Sequence, residues 1–368
     1  MSNIRQRIDS RINRVHRGNS AHCAPRTVVV TGASAGIGRA TAREFASAGA
    51  QVALIARGQG GLQAAADDVK NAGGTPMAVA VDVADYEAVV RATEMIEEQF
   101  GPIDVWVNAA FSSIFSPFDQ IEAQEFRRAT EVSYLGFVHG TMAALNRMKP
   151  RDHGTIVQVG SALGERSIPL QSAYCGAKHA INGFTESLRT ELMHDHSNVH
   201  VTVVQMPGVN TPQFSWVRSR LAQHPQPVAP VYQPEICARA IAYAAEHPKH
   251  KQYWVGASTV ATLLGQRVCA PVLDRYLART GYSSQQTGEP GNAGPGNLFE
   301  PLDAEANADH GAHGVFDRRA HAHSPAWWLR SHPRPLTVAA LVALASLGVA
   351  AGRGGDGHTV APLRKDRR

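Results

Sequence analysis

The chain has 368 residues, 43% hydrophobic and 18% charged, which suits one large globular domain with added segments and excludes a disordered or collagen-like protein. Formal net charge is +5, and much of the excess sits at the two ends, so it says little about the body of the chain. Cys23, Cys175, Cys237 and Cys269 are far apart with no C-x-x-C pair, which argues against a zinc site or a disulfide framework and for a reducing compartment.

Residues 1–25 form a basic leader, with Arg5, Arg7, Arg11, Arg14 and Arg17 against Asp9, and lack the apolar run of a secretory signal. Thr27 and three valines then read as a strand buried on both faces. Gly32, Gly36 and Gly38 follow at once and lead into an alanine- and arginine-rich helix. Strand, glycine turn and helix is the context in which such a loop binds a dinucleotide. Gly32 permits the tight turn, Gly36 lets the backbone approach a pyrophosphate, and Gly38 lets helix pack close to strand. The helix N-terminus offers unpaired N–H groups to phosphate.

Beyond the loop the pattern alternates. Strands are expected at 51–56, 76–83, 103–110, 155–161, 199–206 and 253–256, with helices over 61–72 and about 86–100. This alternation predicts an α/β fold, a Rossmann-type doubly wound parallel sheet in a single catalytic domain over 26–281.

Ser161 ends one strand, and Tyr174 and Lys178 stand four apart on the helix that follows, so the latter two share a face. A phenol with a pKa near 10 is a poor acid or base at neutral pH unless a neighbouring ammonium lowers that value. Together with the Thr-Gly-x-x-x-Gly-x-Gly loop, this trio resembles the short-chain dehydrogenase/reductase family over about 26–281. The resemblance implies an NAD(P)(H)-dependent oxidoreductase. Tyr174 would be its general acid/base, Lys178 would lower the tyrosine pKa and hold the ribose, and Ser161 would stabilise the substrate oxygen.

The same resemblance implies cofactor contacts from Gly32, Ser34, Ala35, Gly36, Ile37 and Gly38, from Asp82 and Val83, and from Asn108 and Ala109. It adds Tyr174 and Lys178 themselves, and Pro207, Gly208, Val209 and Thr211 from the Pro-Gly segment near the nicotinamide. Arg57 follows the second strand where NAD-preferring relatives carry an acid, so NADP(H) is expected over NAD(H). Ser133 stands where many relatives place a helix-kinking Asn, and is expected to join the proton relay. Apolar residues in three loops suggest a small hydrophobic carbonyl or alcohol as substrate: Phe111, Ile114, Phe115 and Phe118; Leu163, Ile168 and Leu170 with Gln171; Phe214, Trp216 and Val217. Self-association is expected through the helices carrying Ser133 and Tyr174. The alternative is a dinucleotide-binding sensor or scaffold without turnover, tethered at a membrane; the intact trio favours the enzyme.

Residues 282–334 are rich in Gly, Pro and polar types and read as a linker. His310, His313, His321 and His323 read as solvated, and no metal is expected. The apolar run 335–352 follows Trp327 and Trp328 and precedes a basic tail, 353–368, with Arg364, Lys365, Arg367 and Arg368. It suggests a membrane helix at the short end of the spanning range, with the catalytic domain facing the cytoplasm.

Overall fold

The computed structural model describes residues 26–291, 294–305 and 308–332. The Thr-Val-Val-Val-Thr run forms β1 (Thr27–Thr31), buried at every position. Its valines alternate between two cores: Val28 and Val30 face one and Val29 the other, as the twofold period of a strand requires. The chain then winds through α1 (Gly36–Ser47), β2 (Gln51–Ala56), α2 (Gln59–Asn71), β3 (Thr75–Ala80), α3 (Tyr86–Phe100) and β4 (Val105–Asn108). Two helices, α4 (Ala123–Thr130) and α5 (Gly136–Met148), are joined by a wide π-helical turn over Glu131–Leu135. There follow β5 (Gly154–Val159), α6 (Ser172–His194), β6 (Val199–Gln205), α7 (Pro234–Glu246), β7 (Gln252–Trp254) and α8 (Ala257–Thr280).

The strands form one parallel sheet in the order β7-β6-β5-β4-β1-β2-β3. Side chains of α1, α2 and α7 pack one face and those of α3, α5 and α6 the other. The fold is therefore the doubly wound α/β sheet expected. The strand order reverses between β1 and β4, and in such sheets a crevice opens beyond the carboxyl ends at that switch point.

The stretch 282–334 does not behave as a linker where it is described. Gln286–Pro290 pairs antiparallel with Gln223–Pro225, and Ala320–His321 adds to Val231–Tyr232. Leu298 is fully buried, and Phe316 and Trp327 nearly so. Widely spaced apolar anchors and backbone pairing hold a segment whose composition alone is polar. The last described helix, α9 (Pro325–Ser331), is capped by the Ser324 side chain, which accepts from the Trp327 N–H. It sets the Trp327 ring edge-on to Tyr243, with centroids 5.6 Å apart, and near Tyr253. Among the described residues no helix is long and apolar enough to cross a membrane. The apolar run 335–352, the basic leader 1–25 and the tail 353–368 lie outside the described residues.

Trp327 thus belongs to the main core. Replacing it by alanine is expected to lower unfolding free energy by about 3–5 kcal/mol in urea titration, as for other large buried aromatics. A mere linker residue would leave the midpoint in place.

Candidate active site

A groove of about 470 Å³ runs along the carboxyl ends of the strands, from the glycine loop to α8. Its floor at one end is backbone. Gly32 has φ +68°, and a Cβ there would lie 2.7 Å from the Ala110 Cα; at Gly38 a Cβ would lie 2.2 Å from the Gly32 carbonyl oxygen. Thr31 Oγ1 accepts from the N–H groups of Ala109 (3.0 Å) and Ala110 (3.2 Å), tying the ends of β1 and β4 together. Among the described residues no side chain separates the N-terminus of α1 from the groove, which suits a pyrophosphate, and its Gly36 N–H already donates to the Gly311 carbonyl at 3.1 Å.

Most residues singled out in the sequence line this groove: Gly32, Ser34, Ala35, Gly36, Ile37, Gly38, Arg57, Asp82, Val83, Ala109, Ser161, Tyr174, Lys178, Pro207, Gly208, Val209 and Thr211. Two do not. The Asn108 side chain points into the core because strand alternation turns it away from Ala109. It accepts from Trp106 Nε1 at 2.8 Å and donates to Gln158 Oε1 at 2.9 Å and Thr141 Oγ1 at 3.1 Å. Its part is structural. Ser133, fully buried in the π-helical turn, donates to the Ser112 carbonyl at 2.6 Å and accepts from the Ser112 N–H at 2.8 Å. That reciprocal pair commits its proton to clamping the loop after β4.

The far end of the groove, beyond the glycine loop, carries both signs of charge, with Arg57, Asp82 and Asp303 in its lining. Arg57 donates to the carbonyls of Asn297 and Phe299, and Arg128 pairs with Asp82 while donating to the Leu298 carbonyl at 3.2 Å. Burial, and then the Arg128 guanidinium, hold Arg57 below its ordinary value. Arg128 is neutralised by Asp82, whereas the Arg57 guanidinium lines the groove with its hydrogen bonds going to carbonyls.

At the other end stands the trio. Ser161 closes β5 and caps the next turn, its Oγ accepting from the Leu163 N–H at 3.1 Å, and it lies near enough to the Tyr174 phenol to pull its pKa down against burial. Lys178 is buried and donates to the Val159 carbonyl at 2.7 Å, with its Nζ 4.4 Å from the Phe137 ring centre and 5.6 Å from that of Tyr174. Burial pulls Lys178 down to about 7. Tyr174 goes the other way: burial pushes it up to about 12, against the opposing pull of Ser161. Burial thus opposes the acidified phenol expected from the sequence. Desolvation penalises the phenolate, and the lysine charge that would offset it is itself desolvated and aimed at a carbonyl.

The substrate end is walled by Phe111, Leu163, Ile168, Phe214, Trp216 and Val217, as expected. Ile114, Phe115 and Leu170 are instead buried in packing, and Phe118 is exposed. Leu273, Tyr276 and Leu277 of α8 complete the wall, and Gln171 and Gln285 close it through a 2.7 Å hydrogen bond. The i, i+4 apolar pair Leu273 and Leu277 was the only sequence sign of this side, since α8 lies far along the chain from the trio.

Comparison with known proteins agrees with this geometry. The family described as short chain dehydrogenase matches residues 26–221. An uncharacterized oxidoreductase, YxnA, of Bacillus subtilis (strain 168) is 34% identical over 86% of this chain and 87% of its own length. A 3-dehydrosphinganine reductase of Danio rerio is 36% identical over 54% of this chain and 59% of its own. A 3-ketodihydrosphingosine reductase of Mus musculus is 36% identical over 50% and 57%. The chain thus spans a little over half the length of these two reductases.

Because Asn108 serves the core, Asn108→Ala should cost about 1–3 kcal/mol of stability by stranding buried partners. Dinucleotide affinity measured by calorimetry should stay unchanged; a large loss of affinity in a stably folded variant would return Asn108 to the groove.

Proposed function

We propose, from the premise that this chain belongs to the short-chain dehydrogenase family of NAD(P)-dependent oxidoreductases, that it is an NADP(H)-dependent reductase of a long, hydrophobic ketone. The observation that carries this reading is the meeting of Ser161, Tyr174 and Lys178 in one wall of the groove that starts at the glycine loop. When bound, the reduced nicotinamide supplies a hydride. The chain's own residues supply position and the proton. The Ser161 and Tyr174 hydroxyls are placed to donate to a carbonyl oxygen, and Tyr174 passes its proton to that oxygen as negative charge develops. A tyrosine with a pKa of about 12 holds its proton at neutral pH, the protonation state that reduction starts from, whereas the reverse reaction starts from the phenolate. Lys178, charged below about 7, adds a positive potential beneath the tyrosine.

Arg57 supports NADP(H), because its groove-lining guanidinium, bonded to the carbonyls of residues 297 and 299, can pair with a 2′-phosphate. The apolar wall supports an alkyl-chain substrate. The names of the two animal reductases support a ketone of the 3-dehydrosphinganine kind within that class.

NADPH oxidation over 3-ketones of increasing chain length tests this reading. We expect kcat/KM to rise about fourfold per added methylene, the equivalent of about 0.8 kcal/mol, until the groove is filled. Tyr174→Phe should lose about 10²–10⁴-fold in kcat. A preference for short polar ketones, or an unimpaired Tyr174→Phe, would contradict the proposal. The pH profile has a definite sign. Reductive kcat/KM, which reports the free enzyme, should fall as pH rises through about 7, where Lys178 loses its charge. A profile flat to pH 9 would remove the lysine charge from the mechanism.

A further inference from the structure

The adenosine end of the groove is walled by the far end of the same chain. Asn297, Pro301, Leu302 and Asp303 line it alongside Arg57 and Asp82. The carbonyls of residues 297, 298 and 299 hold the guanidinium groups of Arg57 and Arg128. Further on, the segment caps two helices. Helix α2 starts after Gly58, which offers no capping side chain, and the N–H groups of Gly60 and Gly61 donate to the Asp303 carbonyl at 3.0 and 3.3 Å. At the start of α1 the Gly36 N–H donates to the Gly311 carbonyl at 3.1 Å.

The fit is built into both partners. A Cβ at Gly60 would lie 1.8 Å from the Glu305 carbonyl oxygen, and one at Gly58 would lie 1.8 Å from the Asp303 carboxylate. Asp309 makes a two-pronged ion pair with Arg39, a buried residue of α1 that also bonds Asp68 at 2.8 Å. Leu298 is buried among Ile114, Ala129 and Ala173, and Phe316 packs edge-on to Phe214 with centroids 5.7 Å apart. Yet the segment walls the groove and does not fill it: the cleft stays continuous from the glycine loop to the trio.

We propose that residues 297–305 and 308–316 form an intramolecular strap belonging to the cofactor site. The strap positions Arg57 and Arg128 and retains the dinucleotide beneath it, so that entry and exit require it to lift. This rests on the reading that the groove takes NADP(H). The strap carbonyls fix the Arg57 guanidinium in the groove wall and hold Arg128 behind it, and the Asp303 carbonyl caps α2. Retention then depends on anchors remote from the trio.

The test uses the full chain as wild type, Gly60→Ala and Asp309→Asn. Alanine is the better helix former at position 60, so loss of fold is not the expected outcome there, and its Cβ collides with strap backbone. Asp309→Asn keeps shape and removes the ion pair. Release of NADPH is followed by stopped-flow fluorescence, and exposure of the strap by Glu-C cleavage after Glu300 and Glu305. We expect about tenfold faster NADPH release in each variant, since such changes appear mainly in off-rates. KM for NADPH should rise in Gly60→Ala without a fall in kcat, the preference for NADPH over NADH should narrow, and NADPH should slow Glu-C cleavage of the wild type more than of either variant. Wild-type release rates in both variants would overturn the strap, as would tighter NADPH binding in both, which would mean that the segment excludes cofactor. If the wild type bound neither NADPH nor NADH, the reading beneath the proposal would fail, and the strap with it.

Discussion

The structure depends on how closely backbone can approach backbone at the end of β1. Gly32 lies against Ala109 and Ala110, and Gly38 lies against the Gly32 carbonyl, at separations that leave no room for a side chain. This contact brings the N-terminus of α1 to the sheet's switch point and leaves the crevice floor as bare backbone. A Cβ at either position would push helix from strand and fill the space where phosphate is to sit. The positive φ at Gly32 and Gly36 has the same origin, a turn too tight for most L-residues.

The opposite wall follows a different rule, desolvation. Lys178 is buried against aromatic rings with one carbonyl for a partner, and its charge is held only weakly near neutral pH. Tyr174 beside it is kept protonated by the same burial. A groove that makes charge expensive keeps the tyrosine protonated, which is the form that the proposed proton transfer needs.

Much of this was legible in the sequence because it is local. The valine run, the glycine spacing and the Tyr-x-x-x-Lys pair on one helix face each report a structure built from neighbours in the chain. What escaped was set by distant packing. Asn108 sits one position from a true groove residue, and strand alternation sends its side chain into a core network with Gln158 and Thr141 that no local pattern announces. Ser133 does occupy a distorted turn, as its place in the helix suggested, but its partner is the backbone of Ser112. The polar segment after Gly281 looked like a linker because its anchors, Leu298, Phe316 and Trp327, are few, and their partners lie far away in the chain. Composition counts apolar residues but not where they dock. The glycines at 58, 60 and 61 were readable only as a helix start; their second use, as a bed for Asp303 and Glu305, needs the fold.

The central claim is that hydride reaches a ketone held by Ser161 and Tyr174. It is tested most directly by isotope transfer. The full chain is incubated with NADPH carrying deuterium at its transferable position and with a long-chain 3-ketone, and the product is examined by mass spectrometry. The account predicts an alcohol one deuterium heavier, labelled at the carbinol carbon. Unchanged ketone beside fully intact NADPH would contradict it and leave a dinucleotide-binding protein without turnover.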